Sequence, residues 1–101
     1  MIHEDERRIL EDWPEAKIIT AKKDCELGNH YHKIKTERFV LVSGSATMYL
    51  NKSDRGYVPE RMERGILYTV EPETKHTFFL EKGSVLIGLC SHMFDPNDDY
   101  R

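Results

Sequence analysis

The chain has 101 residues, of which 39 % are apolar and 33 % charged, and 15 basic against 18 acidic side chains leave a net charge of -3. That is one domain, burying roughly 60 to 65 % of its unfolded surface, and its mild acidity without any cluster of Lys and Arg excludes nucleic acid as the expected partner. The apolar runs are far too short to span a membrane and the opening Met1-Ile2-His3-Glu4-Asp5-Glu6 is polar, so no membrane association is expected and the cytoplasm is the predicted location.

In chain order, Ile9, Leu10 and Trp13 could line one side of a short helix stopped by Pro14, or belong to an extended arm over residues 1–16. From there the pattern is strands broken by turns. Strands are predicted over Lys17 to Lys22, Asn29 to Ile34, Arg38 to Ser43, Ala46 to Asn51, Ile66 to Val70, Thr77 to Glu81 and Val85 to Ser91. Ser43-Gly44-Ser45 and Glu81-Lys82-Gly83-Ser84 read as hairpin turns, and polar Lys52 to Arg64, with Gly56 and Pro59, reads as a long exposed loop. Residues 92–101 form an acidic tail. Cys25 and Cys90 are expected as reduced thiols.

Short strands without an intervening helix predict an all-β sandwich or small barrel over residues 17–91. Phe39-Val40-Leu41-Val42, Phe78-Phe79-Leu80 and Val85-Leu86-Ile87 are apolar on both faces, and such strands must be covered on both. One face lines the interior. The other needs the N-terminal arm or a second copy of the chain, and a homodimer is the expectation.

The chemistry-bearing residues are His30 and His32, one residue apart, then Glu37 and the isolated His76. A strand sends residues i and i+2 to one face, so both imidazoles of His-x-His enter one space while Tyr31 faces away. Three imidazoles and a carboxylate suit a divalent transition metal such as Fe, Mn, Ni, Co or Zn. With period 2, Glu37, Phe39 and Leu41 share the inner face with Met48 and Leu50, and His76 shares it with Phe78 and Leu80. Phe39, Met48, Leu50 and Phe78 are therefore the candidate substrate pocket, an apolar one. The five-residue step from His32 to Glu37 breaks strand parity, so a turn places Lys33, Lys35 and Arg38 near the rim, as solvated charges or as an anion clamp. His3 and His92 lie outside the pattern. Tyr31, Tyr49 and Tyr68 are phenols that could donate protons but read first as packing residues.

The run Gly28-Asn29-His30-Tyr31-His32, Glu37 and Gly44 resembles the first motif of the cupin family, and Gly65, Pro72 and His76 resemble its second, with Thr74 where that motif commonly has glycine. The likeness spans residues 17–91. It implies a double-stranded β-helix jelly roll with His30, His32, Glu37 and His76 as metal ligands. The tail from Ser91 to Tyr100 is similar to that of cupins processing sugars or nucleotide sugars in polysaccharide synthesis.

Cupins include isomerases, epimerases, oxygenases and plain binding proteins, so fold alone does not select an activity. The expected function is a metal-dependent sugar or nucleotide-sugar isomerase or epimerase, acting on a small molecule. An Fe(II) dioxygenase and a non-catalytic metal- or sugar-binding module are the alternatives. The sequence names no catalytic base.

Overall fold

The computed structural model describes residues 1–13, 15–52, 56–91, 96–98 and 100; Pro14 and His92 lie outside them. Among the described residues the chain forms strands β1 (Ile2–Glu4), β2 (Arg8–Trp13), β3 (Ala16–Ala21), β4 (Cys25–His30), β5 (Glu37–Ser43), β6 (Ala46–Lys52), β7 (Gly56–Arg61), β8 (Leu67–Val70), β9 (His76–Leu80) and β10 (Val85–Cys90), then a 3-10 turn at Pro96–Asp98. Two antiparallel sheets result, ordered β1-β2-β3-β10-β5-β8 and β4-β9-β6-β7. No helix among the described residues is long and apolar enough to cross a membrane.

The chain changes sheet at almost every connection after β3, which corrects the reading of two turns as hairpins. Gly44-Ser45 carries the chain from β5 in one sheet to β6 in the other, and Lys82-Gly83 carries it back from β9 to β10. These corners lock against each other. Ser84 Oγ accepts the Ser45 N–H at 2.9 Å and donates to the Ser45 carbonyl at 2.9 Å, while fully buried. Gly44 has φ 87°, and a Cβ there would lie 2.6 Å from Ser84 Cα, so glycine is demanded both by conformation and by space.

The core between the sheets is built from the inward alternate residues, among them Ile19, Leu27, Phe39, Leu41, Met48, Leu50, Phe78, Leu80 and Leu86. Two predicted elements differ, and the choice left open at the N-terminus falls to the extended form. That segment is two strands and not a helix, and β2 pairs with β3 along its whole length, so it widens the sheet instead of covering its outer face. The loop expected over Lys52 to Arg64 contains β7, paired with β6 at the margin of the smaller sheet. Pro59 is tolerated there because an edge strand can spare a backbone donor. The strand expected over Asn29 to Ile34 lies earlier, at Cys25–His30, and Ile34 is exposed.

With β1 and β2 extending the edge, the outer face of the larger sheet keeps the apolar register row Ile18, Ile87, Val40 and Leu67. Leu67 is 51 % exposed, and Val42 and Leu89 on the same sheet are also exposed.

Candidate metal centre

The four residues read from the sequence converge at one end of the core. One potential ligand atom from each of His30, His32, Glu37 and His76 lies within 4.8 Å of all the others. His30 closes β4 and pairs across the ladder with His76, which opens β9; Glu37 opens β5 in the facing sheet. The centre thus spans the mouth of the sandwich, where both sheets begin or end.

The protonation of the imidazoles follows from their outer partners. A carbonyl can only accept, so the contacts of His32 Nδ1 with the Asp98 carbonyl at 2.5 Å and of His76 Nδ1 with the Thr74 carbonyl at 3.1 Å place a proton on each Nδ1. With that proton outside, the Nε2 of each ring faces inward as the potential ligand atom. His32 Nε2 lies 3.1 Å and His76 Nε2 3.5 Å from the same oxygen, Glu37 Oε1, and these three atoms are buried without a hydrogen-bond partner. Three acceptors facing one another in a buried place repel unless a proton or a cation sits among them. The donor set and these orphaned buried atoms therefore fit a divalent transition metal.

Glu37 divides its two oxygens between this centre and a pair of lysines. Lys17 Nζ donates to Oε2 at 3.2 Å and Lys35 Nζ approaches it to 3.9 Å. Burial alone would raise the Glu37 carboxyl, but the positive charges of Lys17 and Lys35 beside it act the other way, and the group is held well below the usual carboxylate range. Burial likewise pushes His76 below the ordinary imidazole value, against the opposing pull of the Thr74 carbonyl and Glu37. At neutral pH the site thus presents one carboxylate and an unprotonated His76.

Lys17 reaches Glu37 from two strands away. Lys17, Gly88 and Phe39 stand opposite one another on β3, β10 and β5, and the lysine stem crosses over Gly88. A Cβ at Gly88 would lie 2.9 Å from Lys17 Cε and 3.0 Å from Phe39 Cε1, so the missing side chain is what opens the passage. Lys17 Nζ also lies 5.6 Å from the centroid of the Phe39 ring.

The predicted rim residues separate. Lys33 and Arg38 are exposed, whereas Lys35 is 5 % exposed and belongs to the Glu37 cluster, which corrects its reading as a solvated charge. Lys17 carried no sequence signal, because only the strand order reveals its neighbour. Half-buried Cys90 joins the group, its Sγ 3.9 Å from Glu37 Oε2, and burial pushes its thiol upward. Both cysteines are free.

Phe39, Met48, Leu50 and Phe78 all lie in the core beneath the centre. The Phe39 and Phe78 rings lie 6.1 and 5.8 Å from the His76 ring, and Leu50 stands opposite His76 on β6. At 8 % exposure or less they form a closed floor under the imidazoles. Tyr49 instead faces a cleft of about 330 Å³ on the outside of the smaller sheet, with Glu26, Tyr57, Thr77 and Phe79. The Tyr68 hydroxyl accepts the Glu63 N–H at 2.7 Å, a packing role.

The profile of the "Polysaccharide biosynthesis C-terminal domain" family matches residues 8–97. The chain belongs to this family. Among solved structures, the capsular polysaccharide assembling protein CapF of Staphylococcus aureus matches 99 % of the chain at 23 % identity and TM-score 0.82, over 31 % of its own length. QdtA, a 3,4-ketoisomerase of Thermoanaerobacterium thermosaccharolyticum solved in complex with TDP, matches 100 % of the chain at 23 % identity and TM-score 0.77, over 82 % of its length. Bacillus subtilis oxalate decarboxylase matches at 15 % identity and TM-score 0.84 over 30 % of its length. The chain thus spans about a third of CapF and most of QdtA. No curated protein matches by sequence. These neighbours are cupin-fold proteins, and this member of the polysaccharide biosynthesis family has their all-β jelly roll.

Proposed function

We propose that the chain binds a divalent transition metal through His30, His32, Glu37 and His76 and serves as a sugar or nucleotide-sugar isomerase or epimerase in the cytoplasm. The observation that carries this reading is the meeting of three buried polar atoms, His32 Nε2, His76 Nε2 and Glu37 Oε1, none of which has a hydrogen-bond partner. The family match to polysaccharide biosynthesis supports the substrate class, as do a ketoisomerase and a capsular polysaccharide protein among the structural neighbours.

Held by these four residues, a divalent ion would supply a Lewis acid for a sugar carbonyl or hydroxyl. The chain's own contribution is orientation. Thr74 and Asp98 hold two imidazoles in the ligand tautomer, Lys17 and Lys35 hold the carboxylate, and Phe39, Leu50 and Phe78 keep water from entering beneath.

The deciding experiment joins elemental analysis of protein purified without chelator to proton exchange at substrate carbon in deuterated water. A stoichiometric metal with deuterium incorporated into a nucleotide-linked ketosugar supports the reading. Iron with oxygen uptake would replace isomerisation by oxygenation, and sugar binding without exchange would leave a binding module. A homodimer accompanies the proposal, motivated by the uncovered row Ile18, Ile87, Val40 and Leu67. Light scattering should give twice the monomer mass, and Leu67→Lys with Leu89→Lys should halve it; a monomeric unsubstituted chain removes the dimer from the proposal.

A further inference from the structure

His32 lies past the end of β4, beyond the strand ladder, yet it is 5 % exposed. Its surroundings come from the far end of the sequence. Tyr31 and Tyr100 exchange backbone hydrogen bonds of 2.9 and 3.0 Å, and their rings stack with centroids 5.2 Å apart. Lys33 Nζ sits 4.5 Å from the Tyr100 ring centroid. Asp98, itself 5 % exposed, accepts the Lys33 N–H on Oδ1 at 2.9 Å and the Ile34 N–H on Oδ2 at 3.3 Å, while its carbonyl takes the His32 Nδ1 proton at 2.5 Å. Every residue from Tyr31 to Ile34 is therefore held by Asp98 or Tyr100.

We propose that the C-terminal segment carrying Asp98 and Tyr100 is a clasp that sets the position of His32 as a ligand, so that tail docking and metal binding are coupled. The inference rests on the metal reading above and adds a device to it. Three of the four ligands lie within strands, whereas His32 owes both its place and its tautomer to a segment 66 residues away in sequence. A carboxylate that ties down two successive amides restrains the loop, and the carbonyl of the same residue orients the ring. Asp98 and Tyr100 are positioning residues: neither supplies a ligand atom to the centre. Because coupling between two binding events is reciprocal, a clasp that tightens the metal site must itself be tightened by the metal to the same degree.

The test measures Zn(II) and Co(II) affinity by chelator competition on the full chain. Loss of an outer partner of a metal-bound histidine weakens binding by about 10- to 100-fold; Asp98→Ala keeps the carbonyl that meets His32 but removes the carboxylate that restrains the loop, so it should weaken binding by about 10-fold, at the low end of that range. Tyr100→Ala should weaken binding by a smaller factor, and Asp98→Asn, which keeps one acceptor oxygen, should recover part of the loss. In a His32→Ala background Asp98→Ala should have no further effect, which a general loss of fold would not reproduce. Saturating Zn(II) should slow amide exchange at Tyr31 and Tyr100 in the unsubstituted chain. Equal affinity in Asp98→Ala and the unsubstituted chain, or exchange indifferent to Zn(II), overturns the clasp while the metal site stands. Failure of the unsubstituted chain to bind either ion overturns the metal reading, and the coupling with it.

Discussion

Glu37 and His76 are positioned differently from His30 and His32, though all four meet at one point. Glu37 and His76 are the first residues of paired strands, each 1 % exposed, and the ladders fix their backbones before any side chain acts. His30 is the last residue of β4 and is still paired there with His76, but His32 lies outside the strand, so in this half of the centre one ligand is held by a ladder and the other hangs on the Asp98 carbonyl and on the Glu73 N–H, which donates to the His32 carbonyl at 2.5 Å. One half of the site inherits the rigidity of the sheets. The other half depends, at His32, on separate contacts between segments distant in sequence, each worth on the order of 1 kcal/mol.

The largest effect tests whether the two halves form one site. Removing a ligand from each, His30→Ala with His76→Ala, should abolish metal retention with circular dichroism unchanged; metal content equal to that of the unsubstituted chain would separate the histidines from metal binding. A smaller effect probes the sheet-held half. Gly88→Ala forces a methyl against Phe39 and the Lys17 stem, and overpacking of this kind costs about 1 to 3 kcal/mol. In a Lys17→Ala background, where one of the two clashes is gone, the cost in chemical denaturation should be smaller; equal costs would show that Phe39 alone resists the methyl.

Lys17→Met should act through Glu37 and through pH. The folded carboxyl lies below its ordinary value, so its stabilising contribution is present above the ordinary carboxylate range and disappears as pH falls through the depressed folded value. Loss of the Lys17 charge raises that folded value. The acid unfolding midpoint of the metal-free protein should therefore move to higher pH, with a loss of about 1 to 2 kcal/mol at neutral pH, and an unmoved midpoint would mean that Lys35 suffices. The smallest effect lies at the join of the halves. Glu73 has φ 66°, a left-handed conformation costing a non-glycine residue roughly 1 kcal/mol. Glu73→Gly should raise the thermal midpoint slightly without altering metal affinity; a fall in the midpoint would show that the glutamate side chain contributes more than the strain costs.

The apolar runs made β5, β6, β8, β9 and β10 legible, because buried strands must be written in Phe, Val, Leu and Ile. β4 was not, since Cys25-Glu26-Leu27-Gly28-Asn29 carries little strand propensity and gains its conformation by pairing with β9. β7 was hidden by Pro59 and its polar neighbours, which suit an exposed edge as well as a loop. The two corners resembled hairpins because glycine and serine report a reversal of direction, and a reversal within a sheet or between sheets uses the same residues.

The sequence by itself determined the candidate ligand set, since donor chemistry and the one-residue spacing of His30 and His32 are local properties that survive whatever the chain does elsewhere. Tertiary structure alone decided the partners of those ligands. That Lys17 should cross Gly88 to hold one oxygen of Glu37, and that the Asp98 carbonyl should take the His32 proton, depends on strand order and on where the tail returns, and no local pattern encodes which distant residues two folded sheets bring within 3 Å or so of each other.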